Sequence, residues 1–274
     1  MGIWRSAEEI GLEPGEFDES GGDFLVLHAS APDDVKWVLR APRRPSVAAR
    51  VPVEGALLDL IADRLPVAVP RWTVRTPDFV AYERLPGAAA DPLPQRYFDD
   101  VGRFLAALHA VPVDEVAATG LEIRSAAAIR ETIARKVHRA RAELGISTAL
   151  WEHWQRWLAD DSTWPPRSVL AHADVIPSHT LVADGRVVGL LDWSDALVGD
   201  PAADFRRLRK AFGPSALDEL IASYERHGGQ VWPGMRAHVE ERVRMGPVDS
   251  GLYGIDSGQE RHVAAAREQL RAMA

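Results

Sequence analysis

The sequence contains no cysteine. A disulfide framework and a thiolate metal site are both excluded, which fits a reducing, cytoplasmic setting. It also lacks any run of about 18 apolar residues, so no transmembrane helix is expected. The start, Met1-Gly-Ile-Trp-Arg-Ser6, has no apolar stretch of the kind a signal peptide needs. That start matches a short acylation pattern, but nothing else in the chain points to a lipid anchor, and no membrane partner is expected. Basic residues are in deficit: 32 Lys and Arg stand against 40 Asp and Glu, a net charge of −8. A nucleic-acid partner needs a basic footprint, so none is expected. An acidic surface suits a cationic substrate. The glycine-lysine phosphate loop G-x-x-x-x-G-K-[S/T] is absent as well, which counts against a P-loop enzyme.

What is present has a clear order. The 274 residues are long for one core and suffice for two lobes around a cleft. Phe24–His28 and Lys36–Arg40 are short β-rich runs separated by the turn cluster Pro32, Asp33 and Asp34. A helix follows, with Val53, Leu57, Leu60 and Ile61 on one face, expected to end at Leu65-Pro66. Trp72–Arg75 and Phe79–Tyr82 predict two more strands. Leu85-Pro86-Gly87 breaks the pattern and reads as a linker.

Beyond the linker, helical spacing dominates. Phe98, Val101, Leu105 and Leu108 share one face, and Ala126–Leu144 is a long Ala/Arg/Glu-rich stretch. Trp151, Trp154 and Trp157 recur every three residues as a packed helix face. Val169–Ala171 predicts a strand. Thr180–Ala183 and Arg186–Leu191 flank Asp184-Gly185, a strong hairpin signal. The expected fold class is α+β. A β-rich N-terminal lobe covers residues 1–85, and a mainly helical lobe covers residues 86–274.

The chemistry sits in His172-Ala-Asp174-Val-Ile-Pro-Ser-His179 and in Leu190-Leu-Asp192-Trp193. A carboxylate on a loop can accept a hydroxyl proton. A second carboxylate, on the strand leaving a hairpin, can hold a divalent ion a fixed distance away. Phosphoryl transfer needs an oriented nucleophile, metal ions on the phosphate oxygens and positive charge near them. This order resembles the catalytic and metal loops of kinases, where Asp174 takes the first Asp position, His179 the Asn position and Asp192 the second Asp position. The spacing thus points to a kinase-like phosphotransferase with Asp174 catalytic and His179 and Asp192 as metal residues. Magnesium prefers oxygen ligands, so His179 either binds metal through one nitrogen or holds Asp174 or a metal-bound water.

The stretch from Val169 to Phe205, with Asp192-Trp-Ser-Asp-Ala196 and Gly199-Asp-Pro-Ala-Ala-Asp-Phe205, is similar to the aminoglycoside phosphotransferase and choline kinase superfamily. Within it the chain resembles the macrolide 2′-phosphotransferases, which also carry His where other members carry Asn. The likeness extends to Trp37-Val-Leu-Arg-Ala-Pro-Arg-Arg-Pro45, Leu65-Pro-Val-Ala-Val-Pro70, Ala81-Tyr82, Leu85-Pro-Gly87, Asp256-Ser-Gly258 and Ala264-Ala-Ala-Arg267. The resemblance implies an antibiotic-resistance kinase that moves the γ-phosphoryl of GTP, or ATP, to the 2′-hydroxyl of a macrolide amino sugar with Mg2+. A cytoplasmic monomer is expected. An aminoglycoside or another amino-sugar alcohol is the alternative acceptor. A metal-dependent hydrolase built on His172, Asp174, His179 and Asp192 is a more distant alternative.

Supporting residues follow from the same alignment of roles. Arg40 stands where kinases carry a lysine, and Glu54 is its expected partner. Ser20, Gly21 and Gly22 are assigned to the loop over the phosphates, although the full G-x-G-x-x-G pattern is missing. Tyr82 is also assigned to the nucleotide site. Ala173 fills a place usually held by Gly, which is tolerable unless the residue needs positive φ. Asp200 and Asp204 are expected to brace the loop through backbone amides, and His109 to end a helix. Asp195, Trp232, Met235, Met245 and Tyr253 are assigned to the acceptor wall, with Glu240, Glu241 and Asp249 as an acidic edge.

Overall fold

The computed structural model describes residues 2–19 and 21–273; Ser20 of the expected phosphate loop lies outside them. Strand alternation builds the N-terminal lobe. After helix α1 (Gly2–Glu9) come β1 (Glu13–Asp18), β2 (Phe24–Ser30) and β3 (Lys36–Pro42), then the short helix α2 (Pro45–Ala48) and α3 (Val51–Ile61), and finally β4 (Val74–Arg75) and β5 (Val80–Glu83). The five strands form one antiparallel sheet in the order β1-β2-β3-β5-β4. Period two in β3 sends Leu39 to the α1 face, where Ile3, Ala7, Leu27 and Phe79 pack. It sends Val38 and Arg40 to the other face. There Val38, Leu57, Ile61 and Tyr82 join a core that continues through Leu105 and Leu190, so one apolar core runs beneath both lobes.

Three elements of this lobe, α1, β1 and α2, are additional to those expected from sequence. Helix α3 stops at Ile61 rather than at Leu65-Pro66, because Ala62 to Leu65 form a turn closed by Arg64 N–H donating to the Ile61 carbonyl at 3.0 Å.

The linker leads from β5 to β6 (Ala88–Ala89). Gly87 has φ +95°, and a Cβ there would meet the Val182 carbonyl oxygen at 2.8 Å. Both facts demand glycine. The second lobe opens with α4 (Tyr97–His109), α5 (Val113–Ala117), α6 (Ala126–Glu143) and α7 (Thr148–Ala159). Ser125 and Ser147 cap the last two, accepting from the Ala128 and Leu150 amides at 3.2 and 3.1 Å. Trp154 and Trp157 bury against Leu144, Val248 and Val263, with Trp151 partly buried at the edge.

Then come β7 (Val169–Ala171), β8 (Thr180–Ala183), β9 (Arg186–Leu190) and β10 (Leu197–Gly199). The β8–β9 hairpin turns on Asp184 and Gly185 with φ +50° and +70°, as a two-residue type I′ turn requires. Five helices complete the chain: α8 (Ala202–Phe212), α9 (Pro214–Arg226), α10 (Met235–Arg244), α11 (Gly246–Ser257) and α12 (Glu260–Ala272). Among the described residues no helix is long and apolar enough to cross a membrane.

Candidate active site

Strands β7 and β10 pair antiparallel, Leu197 opposite Ala171, and their ends aim two loops at one point. The loop after β7 is held from below by Asp204 in the first turn of α8. Its buried carboxylate accepts the amides of His172 at 3.2 Å and Ala173 at 2.5 Å. His109 Nε2 donates to the same carboxylate at 2.9 Å, and the Tyr224 hydroxyl lies 3.0 Å from His109 Nδ1. His109 is thus the last residue of α4 and also part of the buried brace. Asp200 braces α10 as well as its own turn, accepting from the Ala202 amide at 2.9 Å and from His238 Nε2 at 3.0 Å. Ala173 adopts φ +66°, so its methyl group occupies a conformation that favours glycine and costs about 1–2 kcal/mol. The two amide bonds to Asp204 hold the loop there.

His172 ties the loops together. Its Nδ1 accepts the Asp174 amide at 3.2 Å, and its Nε2 donates to the Leu191 carbonyl at 3.0 Å. This pattern fixes a neutral tautomer, and complete burial pushes the imidazole pKa down in agreement with it. Trp193 closes the floor, its ring 4.6 Å from that of His172 and its Nε1 donating to the Leu190 carbonyl at 3.2 Å.

Above this floor Asp174, His179 and Asp192 converge, each offering a ligand atom within 4.8 Å of the others. His179 Nδ1 donates to the Asp174 backbone carbonyl at 3.1 Å and lies 3.4 Å from Asp174 Oδ2. That leaves Nε2 as the free lone pair, 3.8 Å from Asp192 Oδ2. Burial pushes the Asp192 carboxyl up, but neighbouring positive charge, that of Arg40 foremost, outweighs it and holds Asp192 below the usual carboxylate range.

The N-terminal lobe supplies the cations. Arg40 Nη1 pairs with Glu54 Oε1 at 3.2 Å, and Nη2 reaches Ser194 Oγ at 3.4 Å and Asp192 Oδ1 at 3.7 Å. The Arg40 guanidinium also stacks over Phe24, 4.0 Å from the ring centroid. Both members of the Arg40–Glu54 pair are buried, and burial pushes the Glu54 carboxyl up while Arg40 pulls against it. A cleft of about 730 Å3 opens in front of them, lined by Gly21, Gly22, Tyr82, Arg40, His179, Asp192 and Asp195 among others. Gly22 has open space where a Cβ would sit, and Gly21 only ordinary contact with the Phe24 carbonyl at 3.4 Å. The turn is therefore not a tight glycine loop.

Several site residues gave no local signal in the sequence. Asp23 pairs with Arg44 and with Arg50, both at 2.5 Å, and Arg50 Nη1 donates across the lobes to the Ser194 carbonyl at 3.1 Å. Arg207 of α8 places Nε 2.7 Å from Asp174 Oδ1.

Asp195 faces the cleft, and burial, with Asp174 and Asp192 adding to it, pushes its carboxyl up. None of the other acceptor-wall residues, Trp232, Met235, Met245 and Tyr253, lines this cleft. Met235 and Met245 are each 2% exposed, in two separate cores. Trp232 donates its Nε1 to the Thr163 carbonyl at 2.8 Å and packs on His238. Tyr253 is exposed on α11, and its hydroxyl accepts from Gln259 at 3.0 Å. Met235 and Met245 thus turn inward to the core. The nearby carboxylates are committed too: Glu240 to Arg209, Glu241 to His153, and Asp249 to Lys136.

This architecture is shared with known proteins. The model of the phosphotransferase enzyme family matches residues 15–238. The crystal structure of macrolide 2′-phosphotransferase MphH from Brachybacterium faecium superposes with a TM-score of 0.86 at 39% identity, covering 98% of this chain and 97% of that one. A type I macrolide 2′-phosphotransferase gives 0.84 at 37% identity, covering 98% and 95%. The uncharacterized protein YcbJ of Bacillus subtilis (strain 168) is 36% identical over 98% of this chain and 94% of its own length. At 20% identity or less the likeness is one of fold alone, and structures in that range carry GDP or ATP. With a family match over most of its length and relatives alike from end to end, the chain belongs to the phosphotransferase enzyme family, as a kinase-like transferase acting on a hydroxyl group.

Proposed function

We propose that this chain transfers the γ-phosphoryl group of GTP to the 2′-hydroxyl of a macrolide amino sugar, as a cytoplasmic, monomeric antibiotic-resistance kinase with neither nucleic-acid nor membrane partners. Residues 1–85 hold the nucleotide, and residues 86–274 hold the catalytic loop, the metal residues and the acceptor. The observation that carries the reaction is the convergence of Asp174, His179 and Asp192, with His179, Asp192 and Arg40 lining one cleft and Glu54 anchoring Arg40. The acceptor class rests on the full-length likeness to macrolide 2′-phosphotransferases.

The residues divide the work. Asp174 accepts the acceptor hydroxyl's proton as that oxygen attacks the γ-phosphorus. Arg40, oriented by Glu54, donates to phosphate oxygens. Tyr82, Gly21 and Gly22 border the nucleotide. His179 Nε2 stands 3.8 Å from Asp192 Oδ2, and these two groups would hold the ion, the carboxylate as the oxygen ligand magnesium prefers. A bound magnesium supplies charge neutralisation on the β- and γ-phosphate oxygens. Asp195 borders the acceptor's amino group.

The test incubates purified protein with magnesium and GTP, or ATP, and either erythromycin-like or kanamycin-like compounds. The proposal expects a mass gain of one phosphoryl group on the macrolides, faster with GTP, and none on the aminoglycosides. Gain on the aminoglycosides alone keeps the fold and mechanism and overturns the acceptor.

A further inference from the structure

The cations around the acidic cluster are not equivalent. Arg40 is buried and anchored by Glu54. Arg50 is anchored by Asp23. Arg207 differs from both. Among the described residues its sole ion-pair partner is Asp174, at 2.7 Å from Nε to Oδ1. The contact lacks hydrogen-bond alignment, since Asp174 Oδ1 is buried without a directed partner. The Arg207 side chain is 45% exposed, against 13% for Asp174, so it can leave without opening the core. It stands on the Oδ1 side of Asp174, away from the Oδ2 that faces His179. Its charge also pulls the Asp195 carboxyl down against burial, Asp174 and Asp192. A loosely held cation therefore lies in the combined field of Asp174 and Asp195, on the side of Asp174 turned away from His179.

We propose that Arg207 is a resident counter-cation of the acceptor subsite, occupying in the free enzyme the place that a protonated amine takes when the acceptor presents its neighbouring hydroxyl to Asp174. The inference rests on the reading of this site as a phosphotransferase for amino-sugar alcohols, and it names the feature selected: a cation vicinal to the reacting hydroxyl. Arg207 is then a specificity-determining residue. It neutralises the carboxylates while the site is empty, and it must be displaced for a cationic acceptor to bind. A neutral acceptor, with no charge to replace the guanidinium, leaves it in place.

Isothermal titration of acceptor into metal-free, nucleotide-free protein tests this apart from turnover. The probes are erythromycin and an uncharged analogue with its amino-sugar nitrogen demethylated and acetylated, with kanamycin as a second cationic probe. In Arg207→Ala the competing cation is gone, so erythromycin binds about two- to fivefold more tightly, the range an exposed ion pair is worth. The uncharged analogue does not change, and Arg207→Lys restores the parent affinity. An Arg207 that merely supports the Asp174 loop gives the opposite sign, with weaker binding. Weaker binding of erythromycin in Arg207→Ala, or equal changes for charged and uncharged probes, overturns the proposal. If the parent protein binds kanamycin and no macrolide, tightening of kanamycin keeps the exchange and removes the macrolide reading instead. If no cationic probe binds more tightly to the variant, the exchange itself is refuted.

Discussion

Arg40 on β3 and Glu54 on α3 face each other across the back of the cleft, Nη1 to Oε1 3.2 Å apart, with both side chains buried. Removing one partner of such a pair strands the other charge away from water, at about 3–5 kcal/mol. Glu54→Ala should therefore lower the unfolding free energy by roughly that amount and weaken nucleotide binding about tenfold. Denaturant melts and nucleotide titrations check both effects. Stability within about 0.5 kcal/mol of the parent is the size of change expected away from any buried feature, and would mean the pair is not the buried anchor described here.

Asp174 is proposed as the proton acceptor, since it stands where the loop from β7 meets the cluster with His179 and Asp192. Asp174→Asn keeps the shape and removes the base. Turnover should fall by about 10²–10⁴, the usual contribution of a positioned base, with nucleotide affinity retained. Turnover within about threefold of the parent contradicts the assignment, since it is far smaller than that contribution.

Asp192 is tested through binding rather than turnover. If it holds magnesium between the lobes, the parent binds nucleotide more tightly with magnesium than without. In Asp192→Ala that difference should vanish while the metal-free affinity changes little. A parent whose nucleotide affinity ignores magnesium would remove Asp192 from this role.

Asp200 links the active-site side of the fold to acid stability. Burial pushes its carboxyl up, but the charges of His238 and Arg242 outweigh it and hold Asp200 well below the usual range. A depressed folded value means the unfolded chain binds the proton more readily. The stabilisation is complete above the unfolded value of about 3.9 and fades as pH falls through the lower folded one. Asp200→Asn should cost about 3 kcal/mol near neutrality. The gap between parent and variant should narrow as pH drops below about 4, measured by urea melts at each pH. A gap that widens in acid contradicts the sign.

Legibility from sequence followed the range of the interactions. The β8–β9 hairpin was plain because two adjacent residues, Asp184 and Gly185, carry the turn. The starts of α6 and α7 rest on Ser125 and Ser147, again local caps. Asp174, His179 and Asp192 were found together because motif spacing and the hairpin bring them into register. Arg207 was missed because nothing near it in the chain shows that α8 crosses beneath Asp174. The Asp23 clamp spans 21 and 27 residues to its arginines and left no pattern. The burial of Met235 and Met245 was not legible for a different reason. An apolar residue such as Met235 or Met245 reads the same whether it faces a ligand or a core, and only packing decides.

The most direct test of the account is where the phosphoryl group goes. Erythromycin treated with GTP, magnesium and purified protein should yield one product, whose phosphorus couples in NMR to the proton on C2′ of the amino sugar, beside the carbon bearing the amine. The same reaction with Asp174→Asn should yield almost none over the same time. A phosphate on any other hydroxyl, or a macrolide that emerges unchanged while nucleotide is consumed on another acceptor, contradicts the central claim.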